Sequence, residues 1–185
     1  MEQLLAKLSK IKLVITDVDG VLTDGSLYYT DQGETMKRFN VRDGLGTKML
    51  QAAGIQVAVL SGGDKPFLRK RLDDLGITLS QLGKMEKRTA CFELMEKAGV
   101  TAEQTVYLGD DSLDLPAFEV CGVAVAVGDA FSYIKEKADF VLETAGGHGA
   151  LRELSDLILT AQNKQEMFNS ADGFLKIVSQ MKIAQ

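Results

Sequence analysis

Five short, nearly unbroken apolar runs constrain this chain most: KLVIT at 12–16, QVAVLS at 56–61, TVYLG at 105–109, GVAVAV at 122–127 and FVL at 140–142. ITLSQL at 77–82 is a weaker sixth run. A strand that is apolar on both faces must be covered on both, which is the situation of parallel strands between helices. Helical periodicity fills the intervals at 43–53, 65–75, 85–98, 112–119, 130–137 and 148–162, and QAAGI, DDLGI and EKAGV each place a glycine where a helix should stop. The alternation predicts an α/β fold with a doubly wound, mainly parallel, Rossmann-like sheet.

The length of 185 residues and 45% hydrophobic content suffice for one substantial core, expected over 1–162, with a tail at 163–185. A formal charge of −5 gives no reason to expect nucleic acid as a partner. No apolar run reaches membrane-spanning length, so no membrane partner is expected. The N-terminal MEQLLAKLSKIK lacks the features of a secretory signal and reads as a short amphipathic helix. Cys91 and Cys121 lie in apolar surroundings with no histidine nearby, so they read as buried small hydrophobes in a reducing, cytoplasmic protein.

One segment interrupts the alternation. SLYYTDQGETMKRFN, at 26–40, holds two β-prone runs around a turn-rich TDQG and predicts a β-hairpin flap directly after the first strand. In the tail, the semi-apolar GFLKIV around 173–178 is expected to dock, and to help cover a site on its own domain or on a neighbour.

The chemistry begins where the first strand ends. VITDVDGVLTD places Asp17 and Asp19 one residue apart, followed at once by Gly20. Two carboxylates at the end of a buried strand cost stability unless a cation or a reaction rewards them. A calcium loop counted from Asp17 would need an oxygen ligand at Val21 and a glutamate at Tyr28, so that reading fails. A solvated turn and a catalytic pair remain. Ligands of parallel α/β sheets bind at the carboxyl ends of the strands. Those ends also carry Ser61 in VLSGG and the cluster Asp110, Asp111 and Asp114 in YLGDDSLDL, while LGKMEKRTA offers Lys84 and Lys87 at a helix start. Several carboxylates sharing one edge repel unless a hard cation such as Mg²⁺ joins them. A phospho-accepting receiver module also groups acids, a hydroxyl and a lysine around Mg²⁺, and it is the non-enzyme alternative. It lacks a carboxylate two residues beyond the phosphorylated one.

The ordered series D-x-D-G-V-x-T-D, S-G, K and G-D-D-x-x-D resembles the haloacid dehalogenase superfamily of phosphotransferases over nearly the whole chain. Within it, FNVRDGLG, GKMEKRTACFELMEKAGVTAEQT, GDDSLDLPAF and GGHGALRELSDLIL are similar to the capless 3-deoxy-D-manno-octulosonate 8-phosphate (KDO 8-phosphate) phosphatases of lipopolysaccharide synthesis. The resemblance implies a Mg²⁺-dependent phosphatase acting on a phosphorylated sugar acid, either KDO 8-phosphate or another nonulosonate or sugar phosphate. It implies Asp17 as nucleophile, Asp19 as acid and base, Ser61 on a phosphoryl oxygen, and Lys87, at the family's spacing, as the charge partner. The metal would be held by Asp17, the Asp19 carbonyl and Asp110. Asp111 and Asp114 are expected to ligate, to orient the ligands or to cap a helix, with the orienting role favoured for Asp114. The resemblance also implies a homotetramer whose hairpins associate and help cover neighbouring sites. For an anionic substrate the cationic candidates are Arg42, Lys65, Arg69 and Arg71, with Arg42 the best of them, and Gly62 is a further candidate for substrate contact. Gly63 departs from the branch's usual arginine, and Lys65 could replace its charge but not its bidentate geometry. His148, the only histidine, is expected at the surface or at a helix start.

Overall fold

The computed structural model of the chain describes residues 2–179. An N-terminal helix α1 (Glu2–Leu8) leads into β1 (Leu13–Thr16), and an antiparallel hairpin of β2 (Tyr28–Thr30) and β3 (Gly33–Met36) follows. The chain continues through α2 (Val41–Ala52), β4 (Gln56–Ser61), α3 (Pro66–Leu75), β5 (Leu79–Leu82), α4 (Lys87–Ala98) and β6 (Thr105–Gly109). After it come α5 (Leu115–Phe118), β7 (Val123–Ala126), α6 (Ser132–Lys135), β8 (Phe140–Val141) and α7 (Ala150–Ala161), then α8 (Glu166–Asn169) and α9 (Ala171–Val178).

The six core strands form one parallel sheet in the order β5-β4-β1-β6-β7-β8. The chain builds outward from β1 through β4 to β5, then returns to add β6, β7 and β8 on the other side. The strand order therefore reverses between β1 and β6, the place where an open α/β sheet leaves a crevice. β1 is shielded on both faces: Leu13, Val14 and Ile15 are fully buried, each worth roughly 1.5–3 kcal/mol of burial. Helix α2 packs along α7, which also meets α1, while α4 lies across β1, β4 and β5 and meets α5.

The expected strands form within a residue or two of their predicted limits, the hairpin pairs over 28–36 of the expected 26–40, and the weak run at 77–82 becomes edge strand β5. The expected helix over 112–119 divides instead into a 3₁₀ turn, Ser112–Asp114, capped by the Asp111 side chain, and the short α5 with Pro116 in its first turn. The helix predicted over 130–137 shortens to α6, and α7 begins at Ala150 because Gly149 is held at φ +107°. Cys91 is fully buried, whereas Cys121 is only half-buried, since it follows α5 in the turn leading to β7. The described part of the tail packs on its own domain, with Ile177 buried beside Met49 and Leu159. Residues 180–185 of the expected tail lie outside the described residues.

Candidate active site

The parallel register sets Thr16 beside both Val59 and Leu108, so Asp17, Ser61 and Asp110 leave the sheet along one edge. Asp17 is buried, and its backbone N–H stays in the sheet by donating to the Leu108 carbonyl at 3.0 Å. Gly20 turns the chain back at φ +86°, and a Cβ there would stand 2.1 Å from Asp110 Oδ2. Only glycine lets the loop after Asp19 pass so close to the Asp110 carboxylate.

Lys87 is the first residue of α4. The Glu86 side chain caps that helix by accepting from the backbone N–H groups of Arg88 and Thr89 at 2.9 Å each, which fixes where the lysine emerges. Fully buried, the Lys87 ammonium lies 3.0 Å from Asp17 and 2.7 Å from Asp114. Burial alone would lower its pKa, but the two carboxylates raise it on balance and keep it charged. Lys84 stays exposed, with its backbone N–H on the Ser61 carbonyl at 3.0 Å.

Asp114 is fully buried and fully engaged. Its Oδ1 accepts from Lys87 Nζ at 2.7 Å and from the Tyr107 hydroxyl at 2.6 Å. Its Oδ2 accepts from the backbone N–H groups of Asp110 at 2.8 Å and Asp111 at 3.2 Å. Asp17, Asp110 and Asp114 each bring a carboxylate oxygen within 4.8 Å of the others. Four donors thus occupy the lone-pair sites of Asp114. Asp110 Oδ1, by contrast, is buried with no hydrogen-bond partner.

Burial, reinforced by Asp114, raises the Asp17 carboxyl to about 7 against the pull of Lys87. Burial, with Asp114 and Asp17 beside it, raises Asp110 to about 8. Two adjoining carboxylates that resist ionisation, one with an orphaned oxygen, form a donor set of the hard-oxygen kind that Mg²⁺ takes. The residues fit the metal.

Ser61 is buried, and its Oγ accepts the Gly63 N–H at 3.0 Å, which leaves the hydroxyl proton free to donate elsewhere. Asp19 is more open, with its side chain 43% exposed, and Lys37 from the hairpin pairs with its Oδ1. Asp111 is exposed and caps the 3₁₀ turn through its bond to Ser112 N at 2.6 Å.

The cationic candidates are dispersed. Arg42 is exposed beside Gly149 and lines a cleft of about 440 Å³ with His148 and Arg152, to which none of Asp17, Asp19, Asp110 and Asp114 contributes. Lys65 is exposed at the N-cap of α3, Arg69 pairs with Asp64, and Arg71 lies over the Phe39 ring while donating to the Asn40 carbonyl at 3.3 Å. Gly62 is exposed beneath Met85, and His148 Nδ1 meets the Gly146 carbonyl at 2.7 Å. Sequence reasoning missed Lys37 and Tyr107. The signals were a Glu34-x-x-Lys37 pair just past a predicted turn, and a phenol in a strand buried on both faces, which must find a partner.

The profile of the haloacid dehalogenase-like hydrolases matches residues 82–154. The 3-deoxy-D-manno-octulosonate 8-phosphate phosphatase of Haemophilus influenzae is 64% identical over 175 residues, covering 95% of this chain and 97% of the relative. Its cobalt-bound structure superposes with a TM-score of 0.90, over 91% of this chain and 99% of that one. The Moraxella catarrhalis enzyme of the same name, solved in complex with magnesium, phosphate and KDO, is 36% identical with a TM-score of 0.87, over 91% of this chain and 97% of that one. The phosphatase of Escherichia coli K12 is 43% identical over 160 residues, or 86% of this chain and 85% of the relative.

Proposed function

This chain belongs to the 3-deoxy-D-manno-octulosonate 8-phosphate phosphatase family of haloacid dehalogenase-like hydrolases, and from that membership we propose how its own residues hydrolyse the phosphate ester. The enzyme is a Mg²⁺-dependent phosphoric monoester hydrolase acting on KDO 8-phosphate. The observation that carries the residue roles is the buried Lys87 ammonium, 3.0 Å from Asp17 at the edge where Asp110 Oδ1 has no partner.

Asp17 attacks phosphorus in line and becomes an aspartyl-phosphate as the P–O bond to the sugar breaks. Asp19 gives the departing alkoxide its proton, then takes one from the water that attacks the aspartyl-phosphate, releasing phosphate and restoring Asp17. Ser61 donates its free hydroxyl proton to a non-bridging oxygen. Lys87 holds Asp17 in line and offsets charge on the phosphoryl group. Asp114, gripping Lys87, Tyr107 and two backbone N–H groups, fixes the lysine and the Asp110 loop together. Asp17, Asp110 and the Asp19 carbonyl would hold Mg²⁺, which when bound supplies positive charge at the phosphoryl oxygens. Asp19 gives the aspartyl-phosphate a built-in route to hydrolysis, which separates this site from a phospho-accepting receiver.

The residues at 1–162 would act as one catalytic domain, and self-association as a homotetramer would complete it. The hairpin and its flanks leave Leu27, Tyr29, Met36 and Val41 between 53% and 82% exposed, an apolar surface that a second copy would cover. Among the described residues no helix is long and apolar enough to cross a membrane. The enzyme would work in the cytoplasm, feeding lipopolysaccharide synthesis.

The decisive experiment is a kcat/KM panel over KDO 8-phosphate, nonulosonate 9-phosphates and simple sugar phosphates, with light scattering for the mass. A clear preference for KDO 8-phosphate is expected. A flat profile would overturn a dedicated biosynthetic role, and a monomeric mass would overturn the assembly.

A further inference from the structure

The hairpin reaches back over the site through charge. Its Lys37 pairs with Asp19 Oδ1, and Glu34 Oε1 stands 2.9 Å from the same ammonium, an ion-pair contact without the alignment of a hydrogen bond. The Lys37 and Glu34 side chains are only 4% and 9% exposed, although the strand around them is open to solvent. Ordering a lysine there costs rotamer freedom that a solvated side chain would keep. The next residue repeats the attachment: Arg38 pairs with Asp24 at 2.8 Å, but at 52% exposure.

Asp19 is thereby held from two sides. Its Oδ1 belongs to the hairpin, and its Oδ2 faces the loop after β4, where a Cβ on Gly63 would stand 3.7 Å away and 3.6 Å from Ser61 Oγ. The space between the hairpin and this loop, beside the ammonium, is open to a leaving oxygen that takes a proton from Asp19.

We propose that Lys37 is a positioning residue for the leaving-group half of the reaction, seating the Asp19 carboxyl where the departing oxygen emerges. Glu34, 2.9 Å from the same ammonium, ties Lys37 to the hairpin as well as to Asp19. The hairpin is then a working part of the site in its own chain, whatever it also does between chains. The proposal rests on Asp19 being the acid and base.

The test compares leaving groups. The parameter kcat/KM reports steps up to aspartyl-phosphate formation, so it isolates departure of the leaving group. Substrates are KDO 8-phosphate, a sugar 6-phosphate with no carboxylate, and p-nitrophenyl phosphate, whose phenolate departs without needing a proton. Lys37→Met should lower kcat/KM about 10- to 100-fold on both sugar esters and less than about 3-fold on the aryl ester, with Lys37→Arg recovering most of the loss. Arg38→Met, which loosens the hairpin without touching Asp19, should shift all three substrates alike. Equal losses across the panel for Lys37→Met would reduce Lys37 to a structural tie, and a loss confined to the carboxylated sugar would make it a substrate contact; either overturns the proposal. If Lys37→Met does not fold, Glu34→Gln carries the test, with a smaller loss again confined to the two sugar esters. A wild-type enzyme with no preference between the two sugars would count against the substrate reading but leave the sugar-to-aryl ratio able to judge Lys37.

Discussion

The Tyr107 hydroxyl donates to Asp114 Oδ1 at 2.6 Å, with both side chains shut off from solvent. The phenol comes from inside the sheet and the carboxylate from the turn after it, so the bond ties the floor of the site to its rim. Tyr107→Phe removes this donor yet leaves Asp114 with Lys87 and two backbone N–H groups. Stability should fall by about 1–2 kcal/mol in urea unfolding, with most of kcat retained. A loss beyond about 10-fold in kcat would mean that Tyr107 also sets the Lys87 position.

Asp17→Asn keeps the shape of the buried side chain and removes the nucleophile. Turnover should drop by about 10³-fold or more, while circular dichroism and the thermal midpoint stay close to wild type. Removing a carboxylate that burial already raises to about 7 costs the fold little. Retained activity would refute the nucleophile assignment.

EDTA should silence the enzyme and Mg²⁺ restore it. The metal should also stabilise the fold, by about 2.7 kcal/mol at 100 times its Kd, because it joins two carboxylates that otherwise oppose each other. In a thermal melt this appears as a higher midpoint with Mg²⁺, roughly 2–4 °C per kcal/mol. Asp110→Asn should abolish both effects. A melt indifferent to Mg²⁺ would exclude Asp17 and Asp110 as its ligands.

Asp43 sits in the first turn of α2 and caps α7, its Oδ1 accepting the Arg152 N–H at 3.0 Å while Oδ2 is buried with no partner. Burial outweighs the backbone bonds and the nearby Arg71, and raises its pKa from 3.8 to about 6. The folded state therefore holds this proton more tightly than the unfolded chain does. Its contribution to stability is complete below about pH 3.8 and is lost as pH rises through about 6. The difference amounts to about 3 kcal/mol, at about 1.4 kcal/mol per unit. Asp43→Asn should flatten this part of the stability profile, measured with Mg²⁺ saturating; a slope identical to wild type would contradict the shift.

The sheet was legible in the sequence because burial on both faces of a parallel strand writes itself as continuous apolar residues, as in TVYLG and GVAVAV. The site edge was legible because Asp17 and Asp110 each follow such a run directly and Ser61 ends one. The environment of Asp114 was not, because its four donors come from Lys87, Tyr107, Asp110 and Asp111, on three different elements. Nor was the fate of the cations: formal charge does not say where a side chain points, and Arg42 lies along α7 while Lys37, never weighed, reaches Asp19. The helix expected over 112–119 broke because Asp111 and Asp114 spend their side chains on turn N–H groups.

The strand order carries a consequence for how the protein comes into being. β1 leaves the ribosome before both of its sheet partners, β4 and β6, and Lys87 and Asp110 follow β4. Until β6 arrives, the nucleophile strand has one open edge, and neither Asp110 nor the Asp114 that grips Lys87 is present. Such non-local pairing is slow to close. The half-made chain is therefore catalytically mute, and the site is assembled only with the closing of the sheet.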